Sequence, residues 1–344
     1  MKIILDGMGG DNTPQAIVEG AVRACKSIKD EIVIVGRQEE ISSCLDQLGY
    51  QGDQITIRHA EDVITNEDAP VKAVRRKKES SMVVGMNMVK NGEGDIFISA
   101  GSTGALLAGG MLIIGRVKGI DRPTLATVYP MIGGEPCFLT DTGANSECRP
   151  RNLLEFATMG SIYMEKVIGR ENPTVGLVNN GTEETKGTAL TKQAHALLAK
   201  SNLNFIGNVE ARELQNHACD VIVTDGFTGN VILKLTEGIG LMVLRELKRR
   251  FLATGKSKLG ALLLKDQLVE LKKDLDYTEY GGAPILGVMA PLVKMHGSSD
   301  ANACEKTILK AIPYVEGNVV GLIEDAISGL EEVEKAILGE EEDE

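Results

Sequence analysis

The sequence predicts an α/β protein with three layers, α/β/α, built around a mostly parallel sheet. Short apolar runs without alternation are typical of strands that are buried on both faces of a parallel sheet. Each run ends in a glycine-rich polar loop, and a helical pattern follows the loop. Five such units occur in order, with their strands starting at Lys2, Asp95, Pro136, Thr174 and Asp220.

The loops after these strands contain most of the polar side chains of interest. They cover residues Asp6–Asp11, Ala100–Ala105, Asp141–Asn145, Asn179–Gly187 and Asp225–Asn230. The carboxyl ends of parallel strands meet at one edge of a sheet, where open α/β proteins bind ligands. Glycine lets backbone amides approach a ligand, and the helix N-termini that follow favour an anion. The sequence therefore predicts an anion site made by several loops in one crevice.

The remaining segments predict helices and one hairpin. We expect a long amphipathic helix over residues 70–90 with an outward basic face, and an antiparallel β-hairpin from residues 123–131 and 136–140 at the sheet edge. Residues 238–276 are predicted to form two helical stretches that break at Thr254–Ser257. We expect this helical hairpin to contact a second subunit along its stem, a bilayer through its apolar tip, or both. We expect one catalytic domain over residues 1–338 and an acidic tail over residues 339–344.

Composition limits the function. Thirty-seven basic and 49 acidic residues give a net charge of −12, which argues against a general nucleic-acid binder. Two basic segments, residues 72–78 and 245–273, favour an acidic partner or an anionic membrane surface. Six single cysteines predict reduced thiols. We expect no signal peptide and no apolar stretch of membrane-spanning length, hence a cytoplasmic protein with peripheral contact at the inner face of the plasma membrane.

Several familiar motifs are missing. Gly255-Lys256-Ser257 resembles the end of a P-loop, but Arg250 stands at the first glycine position and a helix precedes it. No Gly-x-Gly-x-x-Gly follows the first strand, and Ser102 is not in a nucleophile elbow. Aspartates at the loop starts, Asp6, Asp11, Asp141 and Asp225, fit a metal site, although turn and cap roles are commoner. We therefore expect no metal and no cofactor.

The side chains of the predicted crevice suit phosphate binding and carbonyl polarisation. They are hydroxyls, carboxamides, one lysine and one histidine, and they include no evident covalent nucleophile.

The loop motifs closely resemble the phosphate acyltransferases of bacterial phospholipid synthesis, the PlsX family. The matching stretches, in family order, are Asp6–Asp11, Ser99–Leu106, Asp141–Asn145, Gly181–Gly187, Asp225–Val231, Tyr280–Pro284 and His296–Asp300. They extend from residue 1 to about residue 320, so the resemblance covers the whole predicted domain. Asn179-Asn180 and Met289-Ala290-Pro291 depart from the family pattern, and the second puts the local shape near the substrate channel in doubt.

This resemblance implies acyl transfer from an acyl-acyl carrier protein to inorganic phosphate, which gives acyl phosphate and free carrier protein. It also implies a homodimer and an α/β/α fold similar to isopropylmalate dehydrogenases and phosphate acetyltransferases. The product would pass to an acyl-phosphate-using glycerol-3-phosphate acyltransferase. The chemistry fits the loops: a thiol of pKa near 8.5 leaves readily, so positioning and oxyanion stabilisation suffice.

The candidate catalytic residues are Lys186, His296, Asn230 and Asp225. Lys186 is expected to contact phosphate or the oxyanion, as the lysine of the crevice loops; pairing with Glu183 or Glu184 is the alternative. His296 is expected to donate to phosphate or to the leaving thiolate; fixing its own loop is the alternative. The candidate residues for binding phosphate and the acyl group are Asp6, Gly9, Gly10, Asp11, Gly101, Ser102, Thr103, Gly104, Asn145, Gly181, Thr182, Gly226, Thr228, Gly229, Gly282, Ser298 and Ser299.

Three other functions remain open at this point. A decarboxylating dehydrogenase shares the expected architecture, but it would need an arginine-rich carboxylate site that the loops lack. A phosphate acetyltransferase acting on coenzyme A is a closer alternative. A membrane-surface scaffold for lipid enzymes would use the helical hairpin but would leave the loops unexplained.

Overall fold

The computed structural model describes residues 1–129, 131, 135–274 and 281–328. The predicted acidic tail and the last two residues of the predicted helical hairpin, 275 and 276, lie outside the described residues. Contacts divide the chain into two compact units. The first comprises Met1–Thr127, Ile162–Glu171 and Tyr280–Glu344, and the second comprises Val128–Ser161 and Asn172–Glu279. The single domain expected over residues 1–338 stays a prediction.

The strands of the first unit form a mostly parallel sheet. They are β1 (Lys2–Asp6), β2 (Glu31–Gly36), β3 (Ile55–His59), β4 (Ile96–Ser99), β5 (Thr124–Tyr129, which ends in the second unit), β10 (Ala283–Leu286) and β11 (Leu292–Lys294). Their order is β3-β2-β1-β4-β11-β10-β5. Only β10 runs antiparallel to its neighbours among these pairs.

The second unit has a parallel sheet of its own strands. They are β6 (Cys137–Thr140), β7 (Thr174–Asn179), β8 (Asn204–Glu210) and β9 (Val221–Val223). The order is β6-β9-β7-β8, and all three pairs are parallel. The predicted mostly parallel α/β architecture is therefore confirmed.

Helices flank these strands. In chain order they are α1 (Gln15–Ala24), α2 (Gln38–Gln47), α3 (Pro70–Arg76), α4 (Ser81–Lys90), α5 (Thr103–Gly109), α6 (Pro150–Tyr163), α7 (Ala189–Ala199), α8 (Gly226–Phe251), α9 (Gly255–Leu263), α10 (Lys265–Asp274), α11 (Ala301–Glu316) and α12 (Val319–Ser328). Short π-helical turns at Gly110–Ile114 and Met164–Ile168 extend α5 and α6, and a 3₁₀ turn covers Ala211–Asn216.

The long helix predicted over residues 70–90 is two helices. The chain leaves α3 at Lys77, whose ammonium binds Asp68 at 2.7 Å and the Val63 carbonyl at 2.9 Å. Ser80 then caps α4 by accepting the Val83 amide at 3.4 Å. The prediction missed this break because the hydrophobic pattern continues through it. Periodicity does not show the side-chain hydrogen bonds at the end of α3 and the start of α4.

The β-hairpin predicted at the sheet edge is not at an edge. Strand β5 pairs with β10 through Leu125 and Thr124, and β6 pairs with β9 along Phe138–Thr140. β5 and β6 therefore each pair with a strand that lies outside the predicted hairpin. The error arose because the pairing partners β10 and β9 lie far away in sequence.

The helical hairpin breaks where predicted. Thr254 caps α9 in a reciprocal capping box with Ser257, with the Ser257 amide 3.1 Å from the Thr254 hydroxyl. The expectation about spanning segments needs correction, because α8 contains an 18-residue window of mean hydropathy 1.3. By length and composition alone, this one described helix could cross a membrane.

The core is largely aliphatic. Ile3, Ile4 and Leu5 of β1 have no exposed surface, in keeping with a strand covered on both faces. Cys137, Cys219 and Cys304 are buried, and burial raises the pKa of each thiol to about 12. These thiols therefore stay protonated at neutral pH.

Candidate active site

Three loops of the first unit begin at the same edge of its sheet. They follow β1, β4 and β11, which are neighbours in parallel register. We call residues 6–12, 99–104 and 294–300 the first loop cluster. The loops that follow neighbouring parallel strands lie side by side. These three predicted loops are therefore neighbours within the first unit.

A buried aspartate organises the first loop cluster. Asp6 is 1% exposed and accepts the amides of Met8 and Gly9 at 3.2 and 3.0 Å. The Ser99 hydroxyl donates to the same carboxylate at 2.6 Å and accepts the Gly101 amide at 3.0 Å. The carboxylate thus shapes two glycine loops at once, which is a turn-forming role.

Close backbone contacts explain the glycines at the start of this cluster. A Cβ on Gly9 would lie 2.4 Å from the Asp6 carboxylate and 2.8 Å from the Gly101 amide. Gly10 has φ +112°, a conformation that side-chain-bearing residues rarely adopt. The glycines are required by the packing of the two loops, whatever else they bind.

Lys294 belongs to the first loop cluster, and the sequence analysis missed it. Its ammonium donates to the Ala100 carbonyl at 3.1 Å and also contacts the Met295 carbonyl. Burial lowers the pKa of Lys294 to about 8, while the charges of Asp6 and Asp11 act in the opposite direction. Lys186 is therefore not the only lysine near the predicted loops. A lysine directly after the apolar Leu292-Val293 pair was the available signal.

The histidine loop is closed by its own side chains. The Ser298 amide donates to Nδ1 of His296 at 3.3 Å, and the Ser298 hydroxyl lies 2.8 Å from the same nitrogen. Because Nδ1 accepts the amide, the neutral ring carries its proton on Nε2. The Asp11 amide donates to the Gly297 carbonyl at 2.8 Å, and Ser299 is buried. The predicted residues of these two loops thus come together.

Other hydroxyls of the first loop cluster are not engaged. Ser102 precedes α5 without capping it, and Thr103 is the first residue of the helix. Within the described parts of the chain, neither hydroxyl has a hydrogen-bond partner. Gly104 approaches α3, and a Cβ on Gly282 would lie 2.5 Å from Val293. The two hydroxyls are available to a ligand, whereas the two glycines serve packing.

The second unit repeats the arrangement with other residues. Its loops follow β6, β9 and β7, which are again parallel neighbours. We call residues 140–145, 179–187 and 224–230 the second loop cluster. Asp141 has no exposed surface and accepts the amides of Gly143, Ala144 and Asn145 at 3.1, 3.0 and 2.7 Å. Burial raises the pKa of the Asp141 carboxyl, and these hydrogen bonds oppose that shift.

Asn145 connects two loops of the second cluster. Its carboxamide donates to Asp141 at 2.8 Å, and its carbonyl accepts the Gly226 amide at 2.8 Å. A Cβ on Gly226 would lie 2.7 Å from that carbonyl, and one on Gly229 would lie 1.9 Å from the Asp141 carbonyl. Asn145 therefore holds the loops in contact, and Gly226 and Gly229 have no room for a side chain.

The helix α8 begins with a capped turn. Asp225 accepts the Thr228 amide at 2.9 Å and the Thr228 hydroxyl at 2.8 Å. The sequence predicts both as site residues, but in the structure the Asp225 carboxylate and the Thr228 hydroxyl are hydrogen-bonded to each other. Asn230, two residues further along, is exposed and lies beside Gly143, where a Cβ would be 3.6 Å from the Asn230 side chain.

Lys186 and its loop lie open. Lys186, Thr182 and Asn230 are exposed, whereas Gly181 is buried. Across the residues that the structure covers, Lys186 has no carboxylate within 4.0 Å; Glu184 instead lies 3.8 Å from His195. The alternative of a Lys186 pair with Glu183 or Glu184 is not seen. Lys186, Thr182 and Asn230 can therefore reach a ligand without losing a partner.

The geometry sorts the predicted residues into two groups. Asp6, Asp141, Asn145, Asp225, Thr228 and the glycines build the loops, and Ser102, Thr103, Thr182, Lys186 and Asn230 are left to contact a ligand. Among the described residues, no three His, Cys, Asp or Glu side chains gather as a metal site. What remains is a set of hydroxyl, amide and ammonium donors, which suits anions and developing oxyanions.

Comparison with known proteins decides the family. The model of a family described as "Fatty acid synthesis protein" matches residues 1–321. A protein of Alkaliphilus oremlandii named phosphate acyltransferase is 53% identical over 96% of this chain and 98% of its own length. The chain belongs to the phosphate acyltransferase family. A protein of Clostridioides difficile with the same name is 49% identical over 97% of this chain and 98% of its own length. The resemblance drawn from the loop motifs is confirmed.

The fold agrees with that assignment. A phosphotransacetylase from Streptococcus pyogenes aligns over 92% of this chain and 94% of its own, with a TM-score of 0.63 and 18% identity. At that identity the likeness concerns the fold alone. It confirms the expected similarity to the fold of phosphate acetyltransferases, and family membership confirms the expected acyl-transferring enzyme.

Proposed function

We propose that this protein transfers an acyl group from an acyl-acyl carrier protein to inorganic phosphate, giving acyl phosphate for phospholipid synthesis. Family membership across residues 1–321 supports the reaction class. One observation supports the assignment of particular residues. Lys186 and Asn230 are exposed, whereas neighbouring polar groups of the second loop cluster are hydrogen-bonded within the protein. A cation and a carboxamide at a loop edge suit a carbonyl that becomes an oxyanion.

The reaction needs no covalent enzyme intermediate. A phosphate oxygen attacks the thioester carbonyl carbon, and the carbonyl oxygen takes up negative charge. When the carbonyl re-forms, the carbon–sulfur bond breaks and the thiolate leaves with its electron pair, then takes a proton. Because a thiol has a pKa near 8.5, its thiolate is a good leaving group. The protein then has to hold two reactants together and stabilise the oxyanion.

Named residues can perform these steps. We assign Lys186 and Asn230 to the oxyanion or to phosphate, with Thr182 beside them. Ser102 and Thr103 supply hydroxyl donors for phosphate in the first loop cluster. Because Nδ1 of His296 accepts the Ser298 amide, its Nε2–H would donate a hydrogen bond to phosphate or to the leaving thiolate, which takes its proton from solvent.

The assay is direct. Purified protein is incubated with phosphate and either palmitoyl-carrier protein or palmitoyl-coenzyme A, and acyl phosphate is trapped with hydroxylamine. The proposal predicts phosphate-dependent hydroxamate from the carrier-protein thioester. Hydroxamate only from short-chain coenzyme A thioesters would instead support a phosphate acetyltransferase, and hydroxamate from neither donor would refute acyl transfer to phosphate.

We also propose a homodimer formed along α8. Val231, Leu235 and Met242 are 50%, 61% and 57% exposed and lie on one face of the helix by their spacing. A second copy would cover this face. Leu235→Glu should shift the protein towards a monomer in sedimentation velocity, while an unchanged dimer would move the interface elsewhere.

The tip of the helical hairpin is proposed to contact membrane at the cytoplasmic face. Leu259, Leu262 and Leu263 of α9 are 60%, 67% and 76% exposed, and Lys256, Lys258 and Lys265 flank them. Exposed leucines bracketed by lysines suit reversible association with anionic lipid. Release beside a bilayer-embedded, acyl-phosphate-using glycerol-3-phosphate acyltransferase would limit hydrolysis of the labile product.

Substitution separates this role from dimerisation. Leu262→Glu with Leu263→Glu should move the protein from the membrane fraction to the soluble fraction, with carrier-protein-dependent activity nearly unchanged. A matched control is Leu48→Glu with Ile206→Glu, which are also exposed. If the hairpin variant unfolds or loses its dimer, these leucines belong to a subunit contact and the membrane role fails.

A further inference from the structure

Helix α3 presents a compact basic face that the proposed chemistry does not use. Lys72, Arg75 and Arg76 are exposed, while Ala73 and Val74 are 6% and 4% exposed and point into the unit. Positions three and four residues apart lie on the same side of a helix. The three cations therefore share one side of α3, and we call them the α3 basic face.

These cations are not neutralised inside the described chain. Some other cations of the first unit have carboxylate partners, such as Arg23 with Glu19 and Lys77 with Asp68. Throughout the residues described, Lys72, Arg75 and Arg76 have no carboxylate within 4.0 Å. Like charges at i and i+4 destabilise a helix. An unpaired basic face on a protein of net charge −12 therefore indicates an external anionic partner.

The α3 basic face adjoins the first loop cluster. A Cβ on Gly104, in the first turn of α5, would lie 2.8 Å from Cγ of Pro70, the first residue of α3. Helix α3 has seven residues, so it is about 10 Å long. The unengaged hydroxyls of Ser102 and Thr103 lie just before Gly104. A partner on α3 would thus lie beside loops that we assign to phosphate.

The shape of this surface favours a protein over a small anion. A shallow open groove runs along α3, lined by Ala69, Pro70, Val71, Lys72, Arg75 and Arg76. Val71 is 49% exposed and adds an apolar side chain to the groove, one helical turn before Arg75. Small anions prefer enclosed sites with converging donors, whereas exposed cations beside an apolar side chain suit an acidic helix and steer its approach.

We propose that the α3 basic face docks the acidic protein that carries the acyl thioester. This proposal rests on the proposed function, because it names the macromolecular part of the donor substrate. The face binds the carrier by charge and leaves the thioester arm free to reach the loops. Thioesters without a protein carrier do not depend on it.

Charge reversal tests the proposal. Arg75→Glu with Arg76→Glu should lower kcat/KM for palmitoyl-carrier protein by about tenfold or more, through a raised KM. Activity with palmitoyl-pantetheine, a thioester without the carrier, should stay within about twofold. The matched control is Lys26→Glu with Lys29→Glu, which makes the same charge change at exposed positions of the first unit. With the carrier as substrate, the rate of the α3 variant should depend less on salt concentration than the rate of the wild type.

Binding gives a second readout that does not need turnover. Fluorescence anisotropy with labelled apo-carrier protein should show affinity lost in the α3 variant and kept in the control. Equal losses in both variants, or an equal loss with palmitoyl-pantetheine, would overturn the docking surface. Loss of binding to vesicles of phosphatidylglycerol, with carrier binding intact, would assign the face to membrane instead. If wild type makes no acyl phosphate from any thioester, the proposed function fails, while the anisotropy result still decides the docking surface.

Discussion

The two loop clusters are built in the same way but leave different side chains exposed to a ligand. In each, a buried aspartate at a strand end binds the amides of a glycine-rich loop: Asp6 in the first cluster and Asp141 in the second. The side chains left open differ. The first cluster leaves the hydroxyls of Ser102 and Thr103, and the second leaves the ammonium of Lys186 and the carboxamide of Asn230. A shared loop-building device therefore does not imply shared chemistry.

The clusters also differ in the charged groups near their aspartates. Near Asp6 lies a partly buried lysine, Lys294, whose pKa falls to about 8 despite attraction from Asp6 and Asp11. Asp141 is surrounded by backbone amides and the Asn145 carboxamide, and burial raises the pKa of its carboxyl. Neutral donors bind both aspartates, and the first cluster adds a partly buried cation.

The largest effect is expected from removing the open cation of the second cluster. Lys186→Ala should lower turnover by about 10²–10³, the scale of losing one oxyanion donor. Steady-state hydroxamate assays measure it, with Lys192→Ala as a control at a position on α7. Unchanged kinetics in a folded Lys186→Ala protein would remove Lys186 from the mechanism.

The next prediction concerns the contact between loops of the second cluster. Gly229→Ala would place a Cβ 1.9 Å from the Asp141 carbonyl, so the backbone must shift. We expect a loss of about 3 kcal/mol in the free energy of unfolding in urea. Gly240→Ala, in the same helix with no atom within 4 Å of its Cβ and away from the proposed dimer face, should instead stabilise by about 0.5–1 kcal/mol. Equal effects of the two changes would mean that this loop contact is soft.

The partly buried lysine of the first cluster predicts a pH dependence. Lys294 has a folded-state pKa of about 8, below its ordinary value of 10.5, so the unfolded chain binds more protons between these values. The contribution of Lys294 to the free energy of unfolding therefore rises as pH rises through that window. Lys294→Gln should remove this rise relative to wild type in urea unfolding at pH 7.5, 9 and 10, whereas Lys90→Gln should keep it. A variant with the wild-type slope would show that Lys294 titrates normally.

The smallest effect is expected at His296. Because its Nδ1 is held by Ser298, His296→Gln should lower turnover only a few-fold while the loop stays closed. A donor role predicts lower activity of the variant throughout pH 6 to 8, as measured by the hydroxamate assay. Full activity across this range would leave His296 with only its loop contacts.

Crystals provide a separate check on both clusters. Bound phosphate should lie at residues 102–104, 182–186 or 228–230. Phosphate density far from all three segments would contradict the assignment of these loops to the substrate.

Much of the fold could be predicted because its signals are local. Unbroken apolar runs such as Ile3-Ile4-Leu5 marked buried strands, and Thr254 to Ser257 marked the start of α9. The predictions that failed depended on contacts that hydrophobic periodicity does not encode. Two examples are the pairing of β5 with β10 and the bond from Lys77 to Asp68.

The sequence by itself determined the mostly parallel α/β architecture, the glycine loops after the strands and the family. Glycines, loop aspartates and apolar runs act through their own neighbours, so their meaning is readable along the chain. Only the tertiary structure decided which polar groups are hydrogen-bonded within the protein and which are exposed. Asn145 and Thr228 donate to Asp141 and Asp225, and Lys294 donates to the Ala100 carbonyl. Lys186 and Asn230 stay exposed. Hydrogen bonding and burial depend on groups that folding brings together, and residue type alone does not carry that information.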